Sequence, residues 1–122
     1  MNRQSTSATS VTRTVKPIAT LTAAVPQGSR ELFFGQLRAF SEVNKFQITI
    51  SGNAQFKNVF DIEMIRDDVW VIGDSLFDPL SYRIDFYPAP ARANSRVDTT
   101  QLQSDLVQRL SGVADITVSQ VR

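Results

Sequence analysis

From residue 17 onwards, the chain alternates between segments with an apolar side chain at every second position and segments with helical spacing. The period of two predicts β-strands, because successive side chains of a strand point to opposite faces. Such strands are predicted over residues 18–25, 46–51, 58–66, 82–87 and 114–121. Residues 69–72 form a short apolar run that fits one further strand.

Two segments have the spacing of amphipathic helices. Ser29 is expected to cap the first, which extends to about residue 44. Asp98 is expected to cap the second, with Gln101 at the third helical position completing a capping box, and Gly112 follows its last turn. The apolar side of the first helix is expected to carry Leu32, Phe33, Leu37, Phe40 and Val43.

This succession of elements predicts an α+β fold, with an antiparallel sheet of four to five strands and two helices on one face. The order β-α-β-β-(β)-β-α-β fits a ferredoxin-like, or split βαβ, variant that carries an extra strand between its middle strands. Because the predicted strands alternate, one sheet face is expected to pack under the helices while the other is polar.

The first residues have a different composition. Residues 1–15 are rich in Ser and Thr, with Val11 and Val15 as their sizeable apolar side chains. They bury too little surface to offset the entropy lost on ordering. The sequence therefore predicts a flexible tail over residues 1–16 and a single α+β domain over residues 17–122. Exported bacterial lipoproteins use such spacers, so a periplasmic or envelope location and a cytoplasmic one both stay open.

The composition of the chain excludes several kinds of catalytic and metal-binding site. The chain has no Cys and no His, which excludes thiol and imidazole catalysis and the usual zinc and haem sites. No catalytic motif, cofactor or metal site is predicted. Of 13 basic residues, Arg3, Arg13 and Lys16 lie in the tail, which leaves ten against all 12 acids. That balance argues against nucleic-acid binding. No apolar run reaches the roughly 18 residues of a transmembrane segment.

Acidic residues are concentrated between positions 61 and 85. They lack the spacing of a calcium-binding loop and are interpreted as turn formers and solvated strand charges. Arg83 is expected to pair across strands with Glu63 or Asp61. The acids are Asp61, Glu63, Asp67, Asp68, Asp74, Asp78 and Asp85.

The best candidate site lies in residues 69–79, where aromatic and aliphatic side chains are interrupted by small and acidic ones. Aromatic anchors with an acidic rim are typical of a protein-binding hot spot, although the same residues also suit one end of a core. The sequence therefore predicts a protein-binding site at Trp70, Ile72, Leu76 and Phe77, for an unknown partner protein.

Three functions are open at this point. A non-enzymatic interaction or accessory domain is favoured. A small ligand-binding or cofactor-assisted dimeric enzyme is an alternative, because residues 18–40 resemble in outline the first strand and helix of small dimeric α+β-barrel monooxygenases. The histidines that this family uses have no counterpart here. The third is a structural domain that self-associates through its polar sheet face or through an edge strand such as residues 18–25.

Overall fold

The computed structural model describes residues 16–52, 55–56, 59–75, 80–92 and 96–121. The predicted tail, residues 1–16, therefore lies outside the described residues except for Lys16. Short 3₁₀ turns, Gln27–Ser29 and Pro90–Arg92, precede the first helix and follow the fifth strand. The elements are β1 (Ala19–Ala24), α1 (Arg30–Asn44), β2 (Gln47–Gly52), β3 (Phe60–Ile65), β4 (Val69–Asp74), β5 (Ser81–Pro88), α2 (Thr100–Ser111) and β6 (Thr117–Val121).

The strands form one antiparallel sheet in the order β2-β3-β4-β5-β1-β6. Four consecutive strands, β2 to β5, follow one another as a meander, and β1 lies between β5 and β6. The prediction that residues 18–25 form an edge strand was therefore wrong, because β1 is paired on both sides. The fold is α+β, as predicted, but the sheet has six strands rather than four or five. The difference arises because residues 69–74 form a full strand that pairs with both β3 and β5.

The core lies between the two helices and one face of this sheet. Every strand from β1 to β5 and both helices contribute to it, which places α1 and α2 on the same side of the sheet. Its fully buried side chains include Leu21, Phe33, Leu37, Phe40, Ile62, Met64, Val71, Ile84, Phe86, Leu106 and Leu110.

The predicted apolar face of α1 is buried only in part: Phe33, Leu37 and Phe40 are in the core, as predicted. Leu32 and Val43 are 60% and 61% exposed, although the spacing placed both on the apolar side. Phe34, outside the predicted stripe, is only 4% exposed. Its ring packs edge-on against Phe60 at 5.2 Å and against Tyr82 at 6.1 Å. Aromatic side chains from β3 and β5 therefore determine which side of α1 is buried.

The start of α2 also differs from the prediction. The helix begins at Thr100 with Thr99 as its N-cap residue, one position later than the predicted N-cap, Asp98. Asp98 still serves the helix end, because its carboxylate accepts a hydrogen bond from the Thr100 backbone N–H at 2.9 Å. Hydrogen bonds from the Thr100 side chain and backbone lower the pKa of Asp98. Gln103 donates to the Thr99 hydroxyl at 2.7 Å, so this pair replaces the predicted capping box.

Lys45 ends α1 in the left-handed conformation, with φ 64° and ψ 38°. A side chain costs about 1 kcal/mol or more in this region, and glycine avoids that cost. We therefore expect Lys45→Gly to raise the free energy of unfolding by about 0.5–1 kcal/mol, measured by urea denaturation. Lys45→Ala is the control, since it removes the charge but keeps a Cβ. A glycine variant no more stable than the alanine variant would contradict the expectation.

Candidate functional site: the open face of the sheet

The sheet face opposite the helices, called here the open face, is covered by neither α1 nor α2. Alternate strand residues reach it in cross-strand rows that the pairing registers define. The first row contains Gln47, Ile65, Trp70 and Tyr87. The second contains Thr49, Glu63, Ile72, Asp85 and Thr20. The third contains Ser51, Asp61, Asp74, Arg83, Thr22 and Ser119.

The structure separates the residues of the predicted binding segment. Trp70 and Ile72 are two residues apart on β4, half-buried, and both belong to the open face. Val71, between them, is fully buried in the core. Leu76 and Phe77 lie outside the described residues, so their part in the site stays a prediction.

Two apolar neighbours that the sequence analysis missed flank Trp70. Ile65 of β3 and Tyr87 of β5 lie directly opposite it in the register. A shallow hollow of about 580 Å³ adjoins this row. Trp70, Ile65 and the turn after β5 supply its apolar part. Its lining is Lys45, Gln47, Ile65, Arg66, Asp67, Trp70, Ala89, Pro90 and Ala91.

Arg66 fixes the rim of this hollow. Its guanidinium donates to the Asn44 carbonyl oxygen at 2.8 Å and to the Asp68 carboxylate at 2.6 Å. It also lies 4.7 Å from the centre of the Phe46 ring, which allows a cation–π contact. The hydrogen bond from Arg66 is the main cause of a lowered pKa at Asp68. These contacts tie the turn between β3 and β4 to the end of α1 and the start of β2.

The other rows of the open face carry an acidic group. Asp61 and Glu63 lie on β3, and Asp74 faces Asp61 across the β3–β4 pair. Partial burial, and to a lesser extent the charge of Asp61, raises the pKa of Glu63. The ionised form of Glu63 is therefore less favourable here than in water, and a positive charge placed nearby would stabilise it. In the described part of the chain, no three acidic side chains lie close enough together to hold a metal ion.

Asp85 is the centre of a hydrogen-bonded group on the same face. It is only 9% exposed. It accepts from the Thr20 hydroxyl at 2.5 Å, from the Arg83 Nε at 3.2 Å and from the Tyr87 hydroxyl at 3.4 Å. The prediction that Arg83 pairs with Glu63 or Asp61 across strands was wrong. Arg83 forms its ion pair with Asp85, two residues along its own strand, and lies opposite Asp74 in the register.

Comparison with known proteins adds no identification. No protein-family model matches the sequence, and no curated protein matches it significantly. Among the described helices, none is both long and apolar enough to cross a membrane. The residues of the open face are therefore the basis for inferring the function.

Proposed function

We propose that this chain is a non-enzymatic protein-interaction domain that binds a partner protein through the open face. The observation that carries the proposal is the apolar row of Ile65, Trp70 and Tyr87 at one end of the open face. The other rows of this face are polar except for Ile72. Tryptophan and tyrosine are the side chains most enriched in binding hot spots. Trp70 is anchored by neighbours on both sides yet keeps part of its surface accessible, as an anchor for a partner requires.

Charge indicates the chemistry of the partner. Glu63 lies one row away from Trp70 and Asp61 lies two rows away, and the raised pKa of Glu63 favours a ligand that brings positive charge. The shallow hollow beside Trp70 has room for an apolar side chain. A segment that combines an aliphatic or aromatic residue with Lys or Arg therefore fits this surface, and a nucleic-acid backbone does not.

The test is selection from a displayed library of random peptides on the full-length protein, with counter-selection on Trp70→Ala. Trp70 is the sole tryptophan, so its fluorescence reports directly on occupation of the site. We expect the selected peptides to combine apolar and basic residues. Their affinity should fall by about tenfold or more in Trp70→Ala and in Glu63→Lys.

Glu42→Lys is the matched control for Glu63→Lys, since Glu42 is exposed on α1, on the other side of the sheet. It should leave the affinity of the selected peptides unchanged. Peptides that bind all three variants as well as the wild type, or a selection that enriches no Trp70-dependent peptide, would contradict the proposal. Circular dichroism of each variant separates loss of binding from loss of fold.

We also propose that the sheet is an extended form of the ferredoxin-like plan. Without the hairpin of β3 and β4, the remaining elements follow the order β-α-β-β-α-β. β1 then lies between β5 and β6, so that the two β-α-β units interleave. This arrangement supports the proposal, with the hairpin as the insertion. The proposed insertion carries Ile65 and Trp70, together with the acids Asp61, Glu63 and Asp74.

A further inference from the structure

A second surface, at the opposite end of the sheet, has a different character. β6 is an edge strand that pairs with β1 on one side. Between β6 and α2 lies an open groove of about 680 Å³. None of its lining residues is charged, although 20% of the chain is. The lining is Thr100, Gln103, Ser104, Val107, Gln108, Ser111, Val118 and Gln120.

Helix α2 keeps its two charged residues away from this groove. Asp105 and Arg109 pair with each other at 3.1 Å, and Asp105 also accepts a hydrogen bond from Asn44 of α1 at 2.9 Å. The charged side of α2 is thus the side next to α1. A helix on a protein surface ordinarily carries charge on its exposed face. The exposed residues of α2 are instead Thr100, Gln101, Ser104, Gln108 and Ser111.

The other edge of the sheet is different. β2 also lacks charged residues, but α1, which contacts it, exposes Glu31, Arg38 and Glu42. Edge strands are usually protected from pairing with other chains by charge, proline or a bulge. β6, with the sequence TVSQV, carries neither charge nor proline. The β6 edge and the exposed side of α2 therefore both lack the charged residues that usually protect a sheet edge against association.

We propose that β6 and α2 form the interface of a symmetric homodimer. A surface that meets its own copy brings like charges together, and an uncharged strip avoids that repulsion. A strongly charged partner would find no opposite charge on this strip with which to form an ion pair. In such a dimer, a twofold axis relates β6 to β6 of the second copy, and the two strands pair antiparallel. If all five residues of β6 are paired, its central residue, Ser119, lies opposite Ser119 of the second copy.

In this dimer the two sheets join into one of twelve strands, and the α2 helices approach each other above the seam. Val107 and Val118, which are half-buried, become covered by the second copy. The outward backbone groups of β6 gain hydrogen-bond partners. The interface is separate from the Trp70 row, so the dimer does not depend on the proposed function and Trp70→Ala leaves it intact.

Light scattering and sedimentation of the full-length protein at several concentrations test the mass. We expect twice 13.6 kDa at high concentration, with dissociation on dilution. Ser119→Lys should weaken the dimer by about tenfold or more, because two like charges then face each other across the axis. Ser104→Lys, on the exposed side of α2, should weaken it as well. Ser51→Lys is the matched control, an exposed serine on the other edge strand.

A cysteine variant tests the register. The chain has no Cys, so Ser119→Cys carries a single thiol and should form a covalent dimer on oxidation, while Ser51→Cys should not. A monomer at every concentration overturns the proposal. Equal weakening by Ser51→Lys and Ser119→Lys, or a dimer that neither Ser119→Lys nor Ser104→Lys affects, also overturns it. Circular dichroism confirms that each variant is folded.

Discussion

Phe34→Ala is expected to lower the free energy of unfolding by about 3–5 kcal/mol. The side chain is 4% exposed and its ring packs against those of Phe33, Phe60 and Tyr82 at centroid distances of 5.8, 5.2 and 6.1 Å. Truncation removes these contacts and leaves a cavity where α1 meets β3 and β5. Urea unfolding followed by circular dichroism measures the loss.

Leu32→Ala is the matched control for this prediction. Leu32 lies on the same helix, two residues from Phe34, and is 60% exposed. Its truncation is expected to change stability by no more than about 0.5 kcal/mol. Equal losses for the two variants, or a larger loss for Leu32→Ala, would mean that α1 buries the stripe predicted from the sequence.

Helical spacing predicted the bounds of α1 better than its buried face. The bounds of α1 were predicted to within one residue, because Ser29 and the apolar spacing are local signals. The buried face was predicted only in part, because apolar side chains occupy more than one stripe of this helix. The choice depends on Phe60 and Tyr82, which lie far away in sequence and reach α1 only through the folded sheet.

Strand prediction succeeded where polar and apolar residues alternate and was incomplete where they do not. In β3 and β5 the alternation assigned the faces correctly, with Ile62 and Ile84 buried in the core. The run at 69–72 is apolar at every position, because Val69 and Val71 enter the core while Trp70 and Ile72 reach the open face. Periodicity cannot distinguish such a strand from a loop that closes a core.

This double-sided strand also explains how much of the candidate site was predictable. The composition of residues 69–79 identified Trp70 and Ile72, and the structure places both on the open face. Their neighbours, Ile65 and Tyr87, follow from the strand order β3-β4-β5 and from the register. Cross-strand neighbours depend on pairing between distant segments, for which the sequence carries no local signal.

Asp85→Ala is expected to lower the free energy of unfolding by about 2–3 kcal/mol. Asp85 is the shared acceptor for Thr20 on β1 and for Arg83 and Tyr87 on its own strand. Asp85 is only 9% exposed, so water replaces its carboxylate poorly as an acceptor for the half-buried Thr20 and the buried Tyr87. Hydrogen bonds to a charged group are also stronger than those between neutral groups. Chemical denaturation at pH 7 measures the loss.

Asp61→Ala is the matched control, because Asp61 lies on the same face and is exposed. Its removal is expected to change stability by less than about 0.5 kcal/mol. A double-mutant cycle of Asp85→Ala with Thr20→Val should give a coupling energy of about 1–2 kcal/mol, since the two side chains are directly hydrogen-bonded. If Asp85→Ala costs no more than Asp61→Ala, the three donors do not hold β1 and β5 together on this face. In that case Asp85 would not be what holds Tyr87 in place beside Trp70, its partner across the β4–β5 pair.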